Sequence, residues 1–94
     1  MGTLKSSGNI KRRRPRRPRL YIYLMNDNYN SFEYVTKVLQ SILGHNMYQA
    51  EQCAMITHNA GQCLVHSAFP KEAYLLFDIL QKHGLTVKLT QKKL

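Results

Sequence analysis

The chain is expected to fold as an α+β domain: a three-stranded antiparallel sheet covered on one face by three helices, in the order β-α-α-β-α-β, behind a disordered N-terminal arm. Three observations predict this. The first is a sharp change of composition at Leu20. The second is the pair of adjacent helix-start signals at Asn30 and Asn46. The third is the presence of three short apolar runs, each too short to be a helix and each bounded by turn residues.

Residues 1–19 (MGTLKSSGNIKRRRPRRPR) have almost no large apolar side chains and two prolines inside an arginine run. Such a segment cannot bury enough surface to offset its ordering entropy, so it reads as a disordered basic arm. Residues 20–94 form the domain, small but able to hold a core worth a few kcal/mol net. The arm carries Lys5, Lys11, Arg12, Arg13, Arg14, Arg16, Arg17 and Arg19, eight of the fourteen basic residues. Six basic residues remain in the body against all five acids, a balance of about +1 rather than the +9 of the whole chain. A nucleic-acid-binding fold carries its basic stripe on the folded surface. Here the positive charge is a tail, so contact with nucleic acid is expected to be nonspecific and salt-dependent. A small basic nucleic-acid-binding protein that uses the arginine-rich arm is the alternative function.

In the body, Leu20–Met25 (LYIYLM) is a β-rich run that ends in the polar loop Asn26-Asp27-Asn28. Its six apolar residues fall short of a secretory core or a bilayer span, so no membrane association is expected. Asn30, with Glu33 three residues on, has the spacing of a capping box. Phe32, Val35, Val38, Leu39, Ile42 and Leu43 then recur at helical spacing until Gly44. Asn46 and Gln49 repeat the cap, and Met47, Ala50, Ala54 and Thr57 define the inner face of a second helix ending near His58–Asn59, before Gly61. Cys63–Ala68 reads as a strand with weak alternation. Pro70 opens a third helix with Ala73, Leu76, Phe77 and Leu80 inward, and Gly84 follows it. Leu85–Thr90 closes as a strand.

The residues with chemistry gather at Asn26-Asp27-Asn28-Tyr29-Asn30, together with His58. A carboxylate, amide oxygens and an imidazole suit an ammonium group, whose three N–H donors need acceptors around them. By composition alone, Asn and Asp here are also ordinary turn and capping residues. Cys53, His58, Cys63 and His66 have a spacing superficially like a zinc site. But Cys53 and His58 are five residues apart on one helix, about 140° off a shared face, and no tight Cys pair is present. No metal and no cofactor are expected. His58 lacks a nucleophile to activate, so no catalytic residues and no enzymatic activity are expected. Two cysteines are too few for a disulfide scaffold and fit a reducing cytoplasm.

The stretch YLMNDNYNSFEYVTKVLQSILGH, followed by AEQCAMITHNAGQC, resembles the ClpS family of adaptors of the bacterial Clp protease. The family's strand-to-helix signature, Asn-Asp-Asp-Tyr-Thr-Pro-Met-Glu-Phe-Val, here reads Asn26-Asp27-Asn28-Tyr29-Asn30-Ser31-Phe32-Glu33-Tyr34-Val35. Its Val-His before a glycine loop reads Thr57-His58-Asn59-Ala60-Gly61. The resemblance implies a non-enzymatic adaptor that captures proteins by a bulky apolar N-terminal residue, an N-degron. It delivers them as a cytoplasmic monomer to a Clp-type AAA+ unfoldase, ClpA- or ClpC-like. By the same resemblance, Asn26, Asp27 and His58 hold the substrate's α-amino group and first peptide unit, assisted by Asn30 where the family has threonine. Phe32, Val35, Ala54, Thr57 and Val87 fall where the family walls its side-chain pocket. Phe32 and Ala54 both replace methionines, and Thr57 replaces a valine. Lys71 and Leu76 stand where relatives carry the Glu and Lys that dock on the unfoldase. In the family, the N-terminal extension is engaged by the unfoldase during delivery.

Overall fold

The computed structural model describes residues 18–93. It comprises β1 (Leu20–Met25), α1 (Phe32–Leu43), α2 (Met47–Ala60), β2 (Gln62–Ala68), α3 (Pro70–Lys82) and β3 (Val87–Thr90), the expected order. The sheet runs β2-β1-β3, with β1 central and antiparallel to both neighbours. Most of the arm lies outside the described residues. At its root, Arg19 is already fastened to the domain. Its guanidinium donates to the Ser67 carbonyl at 2.9 Å and lies 5.1 Å from the centre of the Phe69 ring.

Leu20, Ile22 and Leu24 alternate along β1 and point into the core, as period-2 geometry requires. There Ile22 and Leu24 meet Val38 and Leu39 of α1, Ala50 of α2, Val65 of β2, and Leu80 and Leu85 from α3 and the loop after it, while Leu20 packs with Ala68 and Ala73 in a second, smaller cluster. The weak alternation in β2 has a structural cause. Ile22 pairs with His66 but Tyr23 pairs with Leu64, so Val65 is an extra residue in the ladder. This is a β-bulge, which shifts the strand's facing pattern by one position. The Val65 side chain is buried, and its carbonyl is bonded by the His45 ring at 2.9 Å. His45 therefore carries its proton on Nε2, since a carbonyl can only accept.

Helix starts follow local chemistry, with one correction. α2 begins with the expected capping box: Asn46 Oδ1 accepts from the Gln49 amide at 2.7 Å, and Gln49 Oε1 accepts from the Asn46 amide at 3.0 Å. α1 is capped by Ser31, not Asn30: Ser31 Oγ accepts from the Tyr34 amide at 3.1 Å. Both residues are competent caps. Asn30 is drawn away by long-range partners described below, and serine takes the place. Met47 is 61% exposed and does not join the inner face of α2, which begins a turn later at Ala50. As the first residue of the helix, Met47 has no facing layer to pack on. Pro70 occupies the first turn of α3, where its missing N–H costs nothing. The last strand starts at Val87 rather than Leu85, which is instead buried in the loop.

Candidate functional site: a polar corner beside an apolar pocket

The end of β1 is tied down on both sides. The Met25 amide donates to the Thr86 carbonyl at 2.8 Å, and the Asn26 amide donates to the Gly61 carbonyl at 3.0 Å. Gly61 can supply that carbonyl because it adopts φ 94°, a left-handed conformation that ends α2 and is costly for any side chain. Asn26 is thereby held next to the last turn of α2, which carries His58.

Asp27 is the hub of this corner. One carboxylate oxygen accepts from the amides of Tyr29 and Asn30, both at 3.0 Å. The other accepts from Asn30 Nδ2 at 2.8 Å and from the Thr86 hydroxyl at 2.7 Å. Four donors fill about all the lone-pair directions a carboxylate offers. Partial burial pushes this carboxyl up. The Thr86 hydroxyl, the amides of Asn30 and Tyr29 and the Asn30 side chain together outweigh that and hold it down at about 2. Asp27 therefore keeps its negative charge across the physiological range, while its oxygens are committed to holding the loop together.

Asn30 also donates its second amide proton to the Gly84 carbonyl at 3.0 Å, clamping the corner to the loop after α3. The Tyr34 hydroxyl, on α1, reaches the neighbouring His83 carbonyl. With both amide protons used, Asn30 has its Oδ1 left to offer. The Asn26 side chain and the His58 ring make no hydrogen bond among the described residues, and both are exposed. The corner thus combines a fixed carboxylate charge with uncommitted polar groups.

Beside it opens a pocket of about 110 Å³. Leu24 and Met25 of β1, Phe32 and Val35 of α1, and Ala54 and Thr57 of α2 wall it, and Asn26, Asp27, Asn30 and His58 complete its rim. Eight of the nine residues singled out from the sequence are brought together here. Val87 is not part of the lining. It pairs with Leu24 across the β1–β3 ladder and packs against the main core, so Leu24 occupies that side of the pocket instead. Leu24 and Met25 were not singled out from the sequence, although their place at the end of a strand leading into the polar loop is a signal for them. Thr86 was also missed. It meets Asp27 across 59 residues of sequence, and nothing local marks it.

Cys53 and Cys63 are free thiols that face one another from α2 and β2. Burial, and then the neighbouring Cys53, push the Cys63 thiol up to about 12, so it is an inert packing group rather than a nucleophile. His66 is engaged by Glu72 at 3.1 Å, away from His58. Among the described residues no three His, Cys, Asp or Glu side chains form a metal-binding group, and no helix is long and apolar enough to cross a membrane.

The Asp27 knot has a pH signature. Its folded value of about 2 lies below the ordinary 3.8, so its stabilisation is fully present above about pH 5 and is lost as the pH falls through 3.8 toward 2. With allowance for solvent screening at this partly exposed position, about 1–2 kcal/mol is at stake. Urea melts at pH 5 and pH 2.5 measure it. The drop between them should be smaller by this amount in Asp27→Asn, which has no carboxylate to protonate.

Comparison with known proteins gives a family match and a likeness of fold. Residues 15–88 match the family model described as ATP-dependent Clp protease adaptor protein ClpS. The ATP-dependent Clp protease adapter protein ClpS of Ruegeria pomeroyi is 31% identical over 87 residues, which cover 87% of this chain and 77% of that protein. The protein of the same name from Ruegeria sp. strain TM1040 is 28% identical over 93 residues, covering 92% and 82%. Among solved structures, Agrobacterium tumefaciens ClpS2 bound to L-phenylalaninamide superposes with a TM-score of 0.68 at 22% identity. That match covers 82% of this chain and all of the other, a likeness of fold. The chain belongs to the ClpS family of ATP-dependent Clp protease adaptor proteins.

Proposed function

We propose that this adaptor captures proteins by a bulky apolar N-terminal residue and presents them, without chemistry of its own, to a Clp-type AAA+ unfoldase. The observation that carries the reading is the junction of two unlike surfaces: an anionic polar corner at the rim of an apolar pocket. A free N-terminus is an ammonium and a side chain joined at one carbon, and the site offers a matching surface for each. The ammonium lies against Asn26 Oδ1 and the His58 ring, with the Asp27 charge behind them. Asn30 Oδ1 accepts from the first peptide N–H. The side chain enters between Phe32, Val35 and Ala54.

Each half has a role in selection. An internal residue has no ammonium, so placing it here would leave the polar groups dry and unpaired. A small first residue would leave the pocket unfilled. Burying a Leu- or Phe-sized side chain contributes about 1.5–3 kcal/mol, which is consistent with micromolar capture, roughly −8 kcal/mol in total. That the Agrobacterium ClpS2 structure holds phenylalaninamide, a free amine on an aromatic residue, supports the same reading. The arginine-rich arm, by its position, would be the handle the unfoldase engages.

Calorimetric titration of peptides identical except for a first residue of Phe, Leu, Tyr, Trp or Ala tests this. At least one bulky residue should bind about tenfold or more tighter than Ala, the equivalent of burying its side chain. Equal binding across the series would overturn the reading.

A further inference from the structure

The lining of the pocket includes one buried polar residue, whose oxygen an apolar side chain cannot satisfy. Thr57 lines the pocket and is only 5% exposed, the sole buried polar residue among those described. Its hydroxyl donates to the Cys53 carbonyl, one turn back, at 2.7 Å. That bond uses the single proton of the group and leaves its oxygen's lone pairs as acceptors. No donor among the described residues reaches them. Ala54, at i−3 on the same helix face, ends at its Cβ and keeps the space beside Thr57 open. An acceptor is thus held in place where water is largely excluded.

Resting on the capture reading above, we propose that Thr57 is a specificity-determining residue, and that it favours tyrosine over phenylalanine as the first residue by accepting the phenol O–H on Oγ1. The cavity suits a single aromatic ring: its volume of about 110 Å³ is somewhat below the roughly 150 Å³ of an enclosed cavity that binds benzene, and this pocket is open at its rim. A phenylalanine ring brings no donor to Thr57 Oγ1. A tyrosine ring brings one donor and has no need of a second. One such exchange of partners is worth about a three- to tenfold preference. It acts through a group whose own proton is already committed, so the hydroxyl discriminates donors from acceptors. A first-residue side chain tipped with a pure acceptor gains nothing there.

Two peptides that differ only in beginning with Tyr or Phe, titrated into the full chain by calorimetry, test this. The wild-type protein should prefer Tyr by about three- to tenfold. In Thr57→Val, which has the same shape without the oxygen, the Tyr:Phe affinity ratio should fall to one or below. In Thr57→Ser, which keeps the oxygen, the preference should persist. Equal wild-type affinities, or a preference that survives in Thr57→Val, would overturn the role of Thr57 and leave the capture reading intact. If neither peptide binds the wild-type protein, it is the capture reading that fails. Should Thr57→Val not fold, the wild-type ratio together with Thr57→Ser decides the matter.

Discussion

Replacing Asp27 by asparagine is expected to lower the stability of the fold by about 2 kcal/mol and to weaken capture of a bulky N-terminal residue by about tenfold or more. The substitution keeps the shape but changes the chemistry of the oxygen that faces Asn30 Nδ2 and the Thr86 hydroxyl. Placed there, an –NH2 group meets donors and cannot accept from them. Turning the amide over moves the same conflict to the backbone N–H groups of Tyr29 and Asn30. Either way the loop loses bonds that bring Asn26 and Asn30 to the rim, and an ammonium loses the charge opposite it. Urea denaturation measures the first effect and calorimetric titration with a Phe-initiated peptide the second. A variant as stable as the wild type would show that the carboxylate is not the hub of the corner. Undiminished peptide affinity would show that its charge has no part in binding.

The second large effect lies in the core. Leu39 is fully buried on the inner face of α1, among the residues that join the sheet to all three helices. Leu39→Ala should cost about 2–5 kcal/mol, the lost transfer free energy together with the cavity left behind. A domain of this size holds only several kcal/mol in total. The variant should therefore be substantially unfolded at 37 °C, with loss of the far-UV circular dichroism of the helices and of peptide binding together. By contrast, Met47→Ala alters a side chain that is 61% exposed and should shift stability by no more than about 0.5 kcal/mol. The pair separates burial from mere hydrophobicity across the two helical stripes read from the sequence.

That contrast also shows which features the sequence carries openly. Where partners are close along the chain, the residues suffice: Asn46 and Gln49 announce their capping box, Pro70 opens its helix and Gly61 ends another, each through a rule acting over a few positions. The order and length of the elements follow from such local rules and from the apolar spacing. Where two local solutions compete, the distant partner decides. Asn30 and Ser31 are equally good caps until the Gly84 carbonyl, 54 residues away, takes an amide proton of Asn30. The bulge at Val65 depends on pairing with β1 and on His45, and so appears in the sequence only as imperfect alternation. The residues that line the pocket come from distant segments, whose meeting family resemblance implies and periodicity does not. Val87 lies outside that lining: the ladder pairs it with Leu24 on the same face of the sheet but one strand over, and Leu24 is the member of the pair at the pocket. Thr57 belongs to both classes. Its place in the pocket wall follows from helical spacing, whereas the state of its hydroxyl, proton committed and lone pairs open, is visible only in three dimensions.

The joint demand for a free ammonium and a bulky side chain is the centre of this account, and one pair of titrations tests it. The two peptides share one sequence beginning with phenylalanine, and one of them is acetylated at its α-amino group. Acetylation preserves the ring and removes only the positive charge, which the proposed site sets near the Asp27 carboxylate, and two of the three N–H donors, for which Asn26 and His58 are the proposed acceptors. The free peptide should bind with micromolar affinity, and the acetylated one at least about a hundredfold more weakly, the loss of charge-assisted hydrogen bonds in a site that leaves their partners unpaired. Equal affinity for the two would contradict the account, because the polar corner would then have no part in recognition.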